Sequence, residues 1–499
     1  MSAGPPPPED PLRGMREAYE QVFQGWSKAM ERVVAGDEFA AASGELLKRY
    51  VEMHESLRTA SIGAAESLHL PTADDLARLA ELVINVERKI DEVSDEAHAI
   101  AARLAAIETT LATRRRSATR PAAGARPPPA DSPMNGSADG EAPGTGPVGP
   151  PGPAVIERGL RMLAGAVRVP TGTSPKDVVW TRNKTTLYRY RPVAPRAHAT
   201  PVLLVYALIN KPYILDLRPE NSFVGHLLRE GYDVFLLDWG TPGWEDRHTT
   251  LDELVGEHLP KAVQRMRRAG AGDEYTLFGY CMGGTMALMH AAVRPEGLRN
   301  LVVLTTPVDF SQAGVLSVWT DPRHLDADLV ARALGNVPGS LIDLGNKMLR
   351  PVTNVVGAQA TMWERLLSGR DMTSWLAMNQ WVNDGVPFAG AAFAQWIRHF
   401  YQENRLVRGE ISIGGVPVDL SRISAPLLAI GGTRDHIVPP AMIRPLLDLV
   451  SSADRQYLEL PAGHVGLLAG TGARESLWPR VTAWLGERSD ETPPQSRKV

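Results

Sequence analysis

The chain has 499 residues, 43% hydrophobic and 22% charged, which is ordinary for a soluble protein and long enough for two to four domains. Its 53 Lys+Arg and 57 Asp+Glu leave a net charge of −4, which argues against nucleic-acid binding through bulk charge. The single cysteine, Cys281, excludes an internal disulfide and a thiolate metal cluster, and leaves three readings: buried filler, surface thiol or nucleophile.

The N-terminus has no basic stretch followed by an apolar run, and no apolar segment approaches the about 20 residues of a membrane span. A cytoplasmic protein without a transmembrane segment is expected, and a free thiol fits a reducing compartment. Residues 15–34 and 37–68 read as amphipathic helices. The first carries an apolar set (Tyr19, Val22, Phe23, Trp26, Met30) that fits either helix packing or a partner. Thr72, with Asp75 three residues on, marks a third helix start of the capping-box kind. Leu76, Leu79, Val83, Val86, Ile90, Val93 and their successors to Leu111 then alternate at spacings of three and four, a coiled-coil pattern. Residues 1–113 thus read as an all-α coiled-coil region. Residues 114–154 are rich in Pro, Gly, Ala and Ser and read as a disordered linker, long enough to decouple its two sides.

From 155 to 499 strands and helices alternate. A hairpin is expected around Asn183-Lys184, and buried strands at 202–208, 233–238, 275–279, 301–306, 427–431 and 457–460. This is an α/β pattern with a mostly parallel sheet covered on both faces. Between about 311 and 414 the rhythm stops, and a helical insertion holds five of the 11 tryptophans: Trp319, Trp363, Trp375, Trp381 and Trp396. Its position predicts a cap over the C-terminal edge of the sheet, where open α/β sheets bind ligands.

The segment Gly279-Tyr280-Cys281-Met282-Gly283 joins an expected strand to an expected helix. This is a nucleophile elbow with Cys in place of Ser, in which a side chain at either glycine would strike backbone. Partners should follow in the order acid, then base, each after a strand. Asp435 follows the strand at 427–431, and His464 follows that at 457–460. His436, beside the acid, is read as packing or polar support. The oxyanion hole is expected to use the backbone N–H of Met282 and a second one from Ile209 or Asn210, in the loop after the strand at 202–208.

These residues sit among longer motifs. Tyr206-Ala207-Leu208-Ile209-Asn210-Lys211-Pro212-Tyr213, Asp238-Trp239-Gly240, the Cys281 box, Thr306-Pro307-Val308-Asp309-Phe310, Asp435-His436-Ile437-Val438-Pro439-Pro440 and Gly463-His464-Val465-Gly466 span nearly the whole second half. Together they resemble the polyhydroxyalkanoate synthases, especially the class III catalytic subunit, of the α/β-hydrolase superfamily. Met282 departs from that type, which often has Gln there. The stretch from Leu68 to Glu92 is similar to the C-terminal part of the non-catalytic partner subunit, with a phasin-like, granule-coating role as a competing reading.

The resemblance implies an α/β-hydrolase fold with a helical cap, and an acyltransferase that polymerises (R)-3-hydroxyacyl-CoA, in the first place 3-hydroxybutyryl-CoA, through an acyl thioester on Cys281. Coenzyme A is then a released product, and neither cofactor nor metal is expected. A homodimer or higher oligomer at the surface of a polyester granule is implied. A Cys-dependent hydrolase of the dienelactone type and a non-catalytic granule scaffold are the alternatives.

Overall fold

Eight strands form one sheet in the order β1-β2-β4-β3-β5-β6-β7-β8. They are β1 (Lys176–Arg182), β2 (Thr185–Tyr190), β3 (Val202–Val205), β4 (Val234–Asp238), β5 (Tyr275–Tyr280), β6 (Leu298–Leu304), β7 (Leu427–Gly432) and β8 (Arg455–Leu460). The computed structural model describes residues 13–68, 70–116, 157, 159, 161–162 and 167–489. Most of the expected linker, from residue 117, lies outside them.

β1 and β2 form the expected hairpin, with Asn183 at φ 50° in its turn, and β2 pairs antiparallel with β4. Every later pairing is parallel. Parallel strands need helical crossovers, which cover both faces, so the inner strands read as continuous apolar runs. β3 and β5 are accordingly buried at every residue. The helix after β5 is buried from Met282 to Ala292 and apolar nearly all round, as a helix inside a core must be.

The insertion between β6 and β7 is helical, as expected, with a two-residue hairpin at its end pairing Ser412–Ile413 with Val416–Pro417. Its tryptophans divide the work. Trp396 packs with Phe310 and Phe400 in the main core. Trp363 and Trp375 pack on a separate cluster around Met162 and Met362. The indole N–H of Trp381 donates to Lys211 O at 2.8 Å, and that of Trp319 donates to Val34 O at 2.7 Å.

The N-terminal region folds as α1 (Arg13–Val34), α2 (Asp37–Ser67) and α3 (Ala73–Arg116). The capping box at Thr72 forms in both directions: Thr72 N donates to Asp75 Oδ2 at 2.9 Å, and Asp75 N to Thr72 Oγ1 at 3.2 Å. Decoupling by the linker does not occur. α1 and α2 lie on the cap, where Ser27 Oγ is 3.3 Å from Thr353 Oγ1, Asp37 pairs with His324 at 2.9 Å and Val51 is wholly buried in the main core. α3 lies along the β1 edge. Its carboxylates accept indole N–H bonds from Trp244 (to Asp74, 2.9 Å) and Trp180 (to Asp91, 3.3 Å), and Asp95 pairs with Lys261, Arg265 and Arg268. These contacts set the position of the three helices. Among the described residues, no helix is long and apolar enough to cross a membrane.

Burial works against charge on Asp95, but Lys261 and Arg268 prevail and hold its carboxyl below the usual range. Reversing the charge therefore tests the seat of α3. The double variant Asp91→Lys, Asp95→Lys is expected to speed amide exchange in 73–100 by about tenfold or more while leaving β3 and β5 unchanged, read by hydrogen-exchange mass spectrometry. Unchanged exchange in α3 would contradict these pairings.

Candidate active site

Cys281 follows β5 directly and precedes the helix Met282–Val293, with φ 52° and ψ −124°. That conformation is costly for a side-chain-bearing residue and persists only where the surroundings enforce it. Here Cys281 N donates to Leu304 O at 2.9 Å, and Cys281 O accepts from Gly284 N at 2.9 Å. A Cβ on Gly279 would lie 2.3 Å from Gly284 Cα, and one on Gly283 would lie 2.2 Å from Val205 O. Gly284, which the sequence reading passes over, is as constrained, because a Cβ there would lie 1.8 Å from Thr306 Oγ1. The signal was the doubled glycine, but its cause is a residue 22 positions away.

Asp435 and His464 come from the turns after β7 and β8, and both are buried. Asp435 Oδ1 accepts from Ile437 N and Val438 N, each at 2.9 Å, which fixes the carboxylate plane. Its other oxygen accepts from His464 Nδ1 at 2.7 Å. His464 also hydrogen-bonds Cys281, so the three side chains form one line from thiol to imidazole to carboxylate. Burial disfavours charge on His464, but Asp435 and Cys281 outweigh it and raise the ring's pKa from 6.5 to about 10. His436 behaves differently: burial, then the nearby Arg350, push its pKa down. Asp435 holds His464, not its sequence neighbour.

Met282 is the first residue of the helix after Cys281. Ile209 and Asn210 lie in the loop after β3, and the cap fastens that loop. Ile209 O accepts from Val386 N at 2.9 Å, Asn210 bridges to Gly385, and Lys211 O holds Trp381. A group of buried phenols was not anticipated. The Tyr206 and Tyr280 rings stack in parallel 5.3 Å apart, and Tyr280 also meets the His464 ring at 5.3 Å. Burial first, and Cys281 with it, push the phenols of Tyr206 and Tyr401 up, which keeps both hydroxyls neutral. They come from three distant segments, and no sequence spacing links them.

A nucleophile elbow in a mostly parallel sheet, with an acid and a base on later strand ends, defines a protein of the α/β-hydrolase fold, and residues 200–471 match that family. Residues 166–227 match the poly-beta-hydroxybutyrate polymerase (PhaC) N-terminus. The chain is 38% identical to the poly(3-hydroxyalkanoate) polymerase subunit PhaC of Allochromatium vinosum over 67% of its own length and 94% of that protein. It is 39% identical to the protein of the same name from Haloferax mediterranei, over 65% of this chain and 67% of that one. Among solved structures, a monoacylglycerol lipase of Paleococcus ferrophilus aligns at 18% identity and a TM-score of 0.37, covering 61% of this chain and 99% of that one. The chain belongs to the PhaC polymerase family, enzymes of the acyltransferase type. α1 to α3 lie outside both matched segments.

Because the folded pKa of His464 lies above its ordinary value, the stability its proton confers is complete below about pH 6.5 and is lost as the pH rises through about 10. Asp435→Asn removes the charge that retains this proton. The stability margin of wild type over this variant is expected to be largest near pH 6.5 and to shrink toward pH 10, read by denaturant titration across that window. A flat margin would rule out the pairing as the source of the shift.

Proposed function

We propose that the chain polymerises 3-hydroxyacyl-CoA, in the first place 3-hydroxybutyryl-CoA, into polyester with release of coenzyme A, through an acyl thioester on Cys281. The observation that carries this reading is the line Cys281–His464–Asp435, with a thiol where hydrolases of this fold use a hydroxyl. Cys281 Sγ attacks the thioester carbonyl with its proton already held on His464, and the imidazolium then gives that proton to the departing coenzyme A sulfur. One thioester replaces another, so the acyl group stays activated. The hydroxyl of the next acyl unit, losing its proton to His464, then attacks this thioester, forming an oxoester bond as the acyl C–S bond breaks and the Cys281 sulfur leaves to pair again with the protonated His464. Asp435 keeps Nδ1–H toward itself, which directs the other ring nitrogen at the reacting atoms.

The backbone N–H of Met282, with that of Ile209 or Asn210, is the proposed oxyanion hole. The cap bonds to residues 209–211 support it by fixing the peptide orientations of that loop. Water entering at the acyl-enzyme stage would divert it to hydrolysis, and the apolar packing of the cap against the sheet opposes that. The helices α1 and α2, seated on the cap, are proposed to brace it in cis as a partner subunit would, on a protein working at the surface of its own polyester granule.

Supplying full-length protein with 3-hydroxybutyryl-CoA and no added partner is expected to give coenzyme A release and sedimentable polyester. Cys281→Ala should abolish both, and Asp435→Asn should slow release by about 100-fold or more. Free 3-hydroxybutyrate as the product would indicate a hydrolase, and normal release by Cys281→Ala would refute the nucleophile.

A further inference from the structure

The face by which α3 meets the catalytic domain is not its apolar seam. Asp74, Ala77, Ile84, Asp91 and Asp95 face the domain, at spacings of three, four and seven. The heptad seam lies roughly 150° away round the helix, at 100° per residue. From Leu76 to Ile100 its large apolar residues are each 55% to 64% exposed. A stripe of more than three heptads with no cover among the described residues is a surface built for another helix.

We propose that this seam pairs antiparallel with the α3 of a second copy of the chain. Self-pairing follows from the charges flanking the seam. When Ile90 faces Val93 of the second copy, Val86 faces Ala97 and Val83 faces Ile100, each pair occurring twice by two-fold symmetry. The same register sets Lys89 beside Glu96 of the second copy, again twice. Both residues are exposed in the single chain. A parallel, in-register pair would instead set Lys89 across from Ser94 and Glu96 across from Ala101, with no attraction in either. Charges beside a heptad seam select orientation and partner, and here they select antiparallel self-association. The catalytic domains, on the opposite faces of the two helices, stay clear of the pairing. The inference does not depend on the proposed reaction.

Size-exclusion chromatography with light scattering on the full chain tests it. Wild type should give the mass of two chains or an even multiple. Val86→Glu with Ile90→Glu and Val93→Glu should halve that mass while leaving the unfolding midpoint of the catalytic domain unchanged, since in the single chain these side chains are exposed. Lys89→Glu should also weaken the dimer, and adding Glu96→Lys should restore it. In a Cys281→Ser background, Val83→Cys together with Ile100→Cys should give a crosslinked dimer under mild oxidation, and neither should do so alone. A wild-type mass of one chain would overturn the proposal, as would a triple variant that keeps the two-chain mass. So would a Val83→Cys single variant that crosslinks to itself, which marks a parallel pair. A triple variant that stays dimeric but loses its hold on polyester particles would assign the seam to the polymer surface instead.

Discussion

The structure depends on one constrained residue. Cys281 sits at positive φ, and that conformation survives because two glycines let backbone, and a third a side chain, close in around it. Gly279 admits the first turn of the following helix, Gly283 admits β3, and Gly284 admits the Thr306 side chain just after β6. Three elements of the central sheet and one buried helix are thereby locked to a single sulfur position. Thr305, beside Thr306, is itself at φ 47°, an uncommon value for a β-branched residue. Strain on both sides of the elbow is tolerated because the core around it is wholly buried.

The cap is tied to the same centre through the loop after β3. Trp381 and Val386 bond to carbonyls of Lys211 and Ile209, so the cap and this loop are one mechanical unit. A cap that shifts must carry the loop with it. This gives the tryptophans of the insertion distinct meanings that composition alone could not separate. One fastens the cap to the candidate oxyanion loop, one fills the core, two build a side cluster, and one ties the cap to α1.

Much of this was legible in the sequence, and the exceptions have physical reasons. The strand runs, the elbow, and Asp435 and His464 after their strands follow from periodicity and order, because parallel strands must be apolar and their C-terminal ends must carry the chemistry. The need for glycine at 284 was hidden because Thr306 creates it, and that contact exists only in three dimensions. The phenols of Tyr206, Tyr280 and Tyr401 were hidden for the same reason. The seating of the N-terminal helices was misread for another. A Pro- and Gly-rich linker signals freedom of the chain it contains, and says nothing of whether the segments it joins fit each other.

α3 shows the limit of reading amphipathicity as burial. Its apolar stripe points away from its own domain, and its polar face is the one engaged. The usual expectation reverses because Trp180 and Trp244 present indole N–H groups, and Lys261, Arg265 and Arg268 present cations, where an ordinary core would present methyl groups. The two faces therefore answer to different conditions. The charged seat weakens as salt shortens the Debye length, about 8 Å at physiological ionic strength. An apolar seam is insensitive to that screening, and excluded salts strengthen it. α1 and α2 combine both kinds of contact, the buried Val51 and the Trp319 bond with the Asp37–His324 and Glu31–Arg350 pairs. Ionic strength thus acts most on the grip of α3, whose seat on the catalytic domain is the more heavily charged, while the buried Val51 and the Trp319 bond keep the brace on the cap in place.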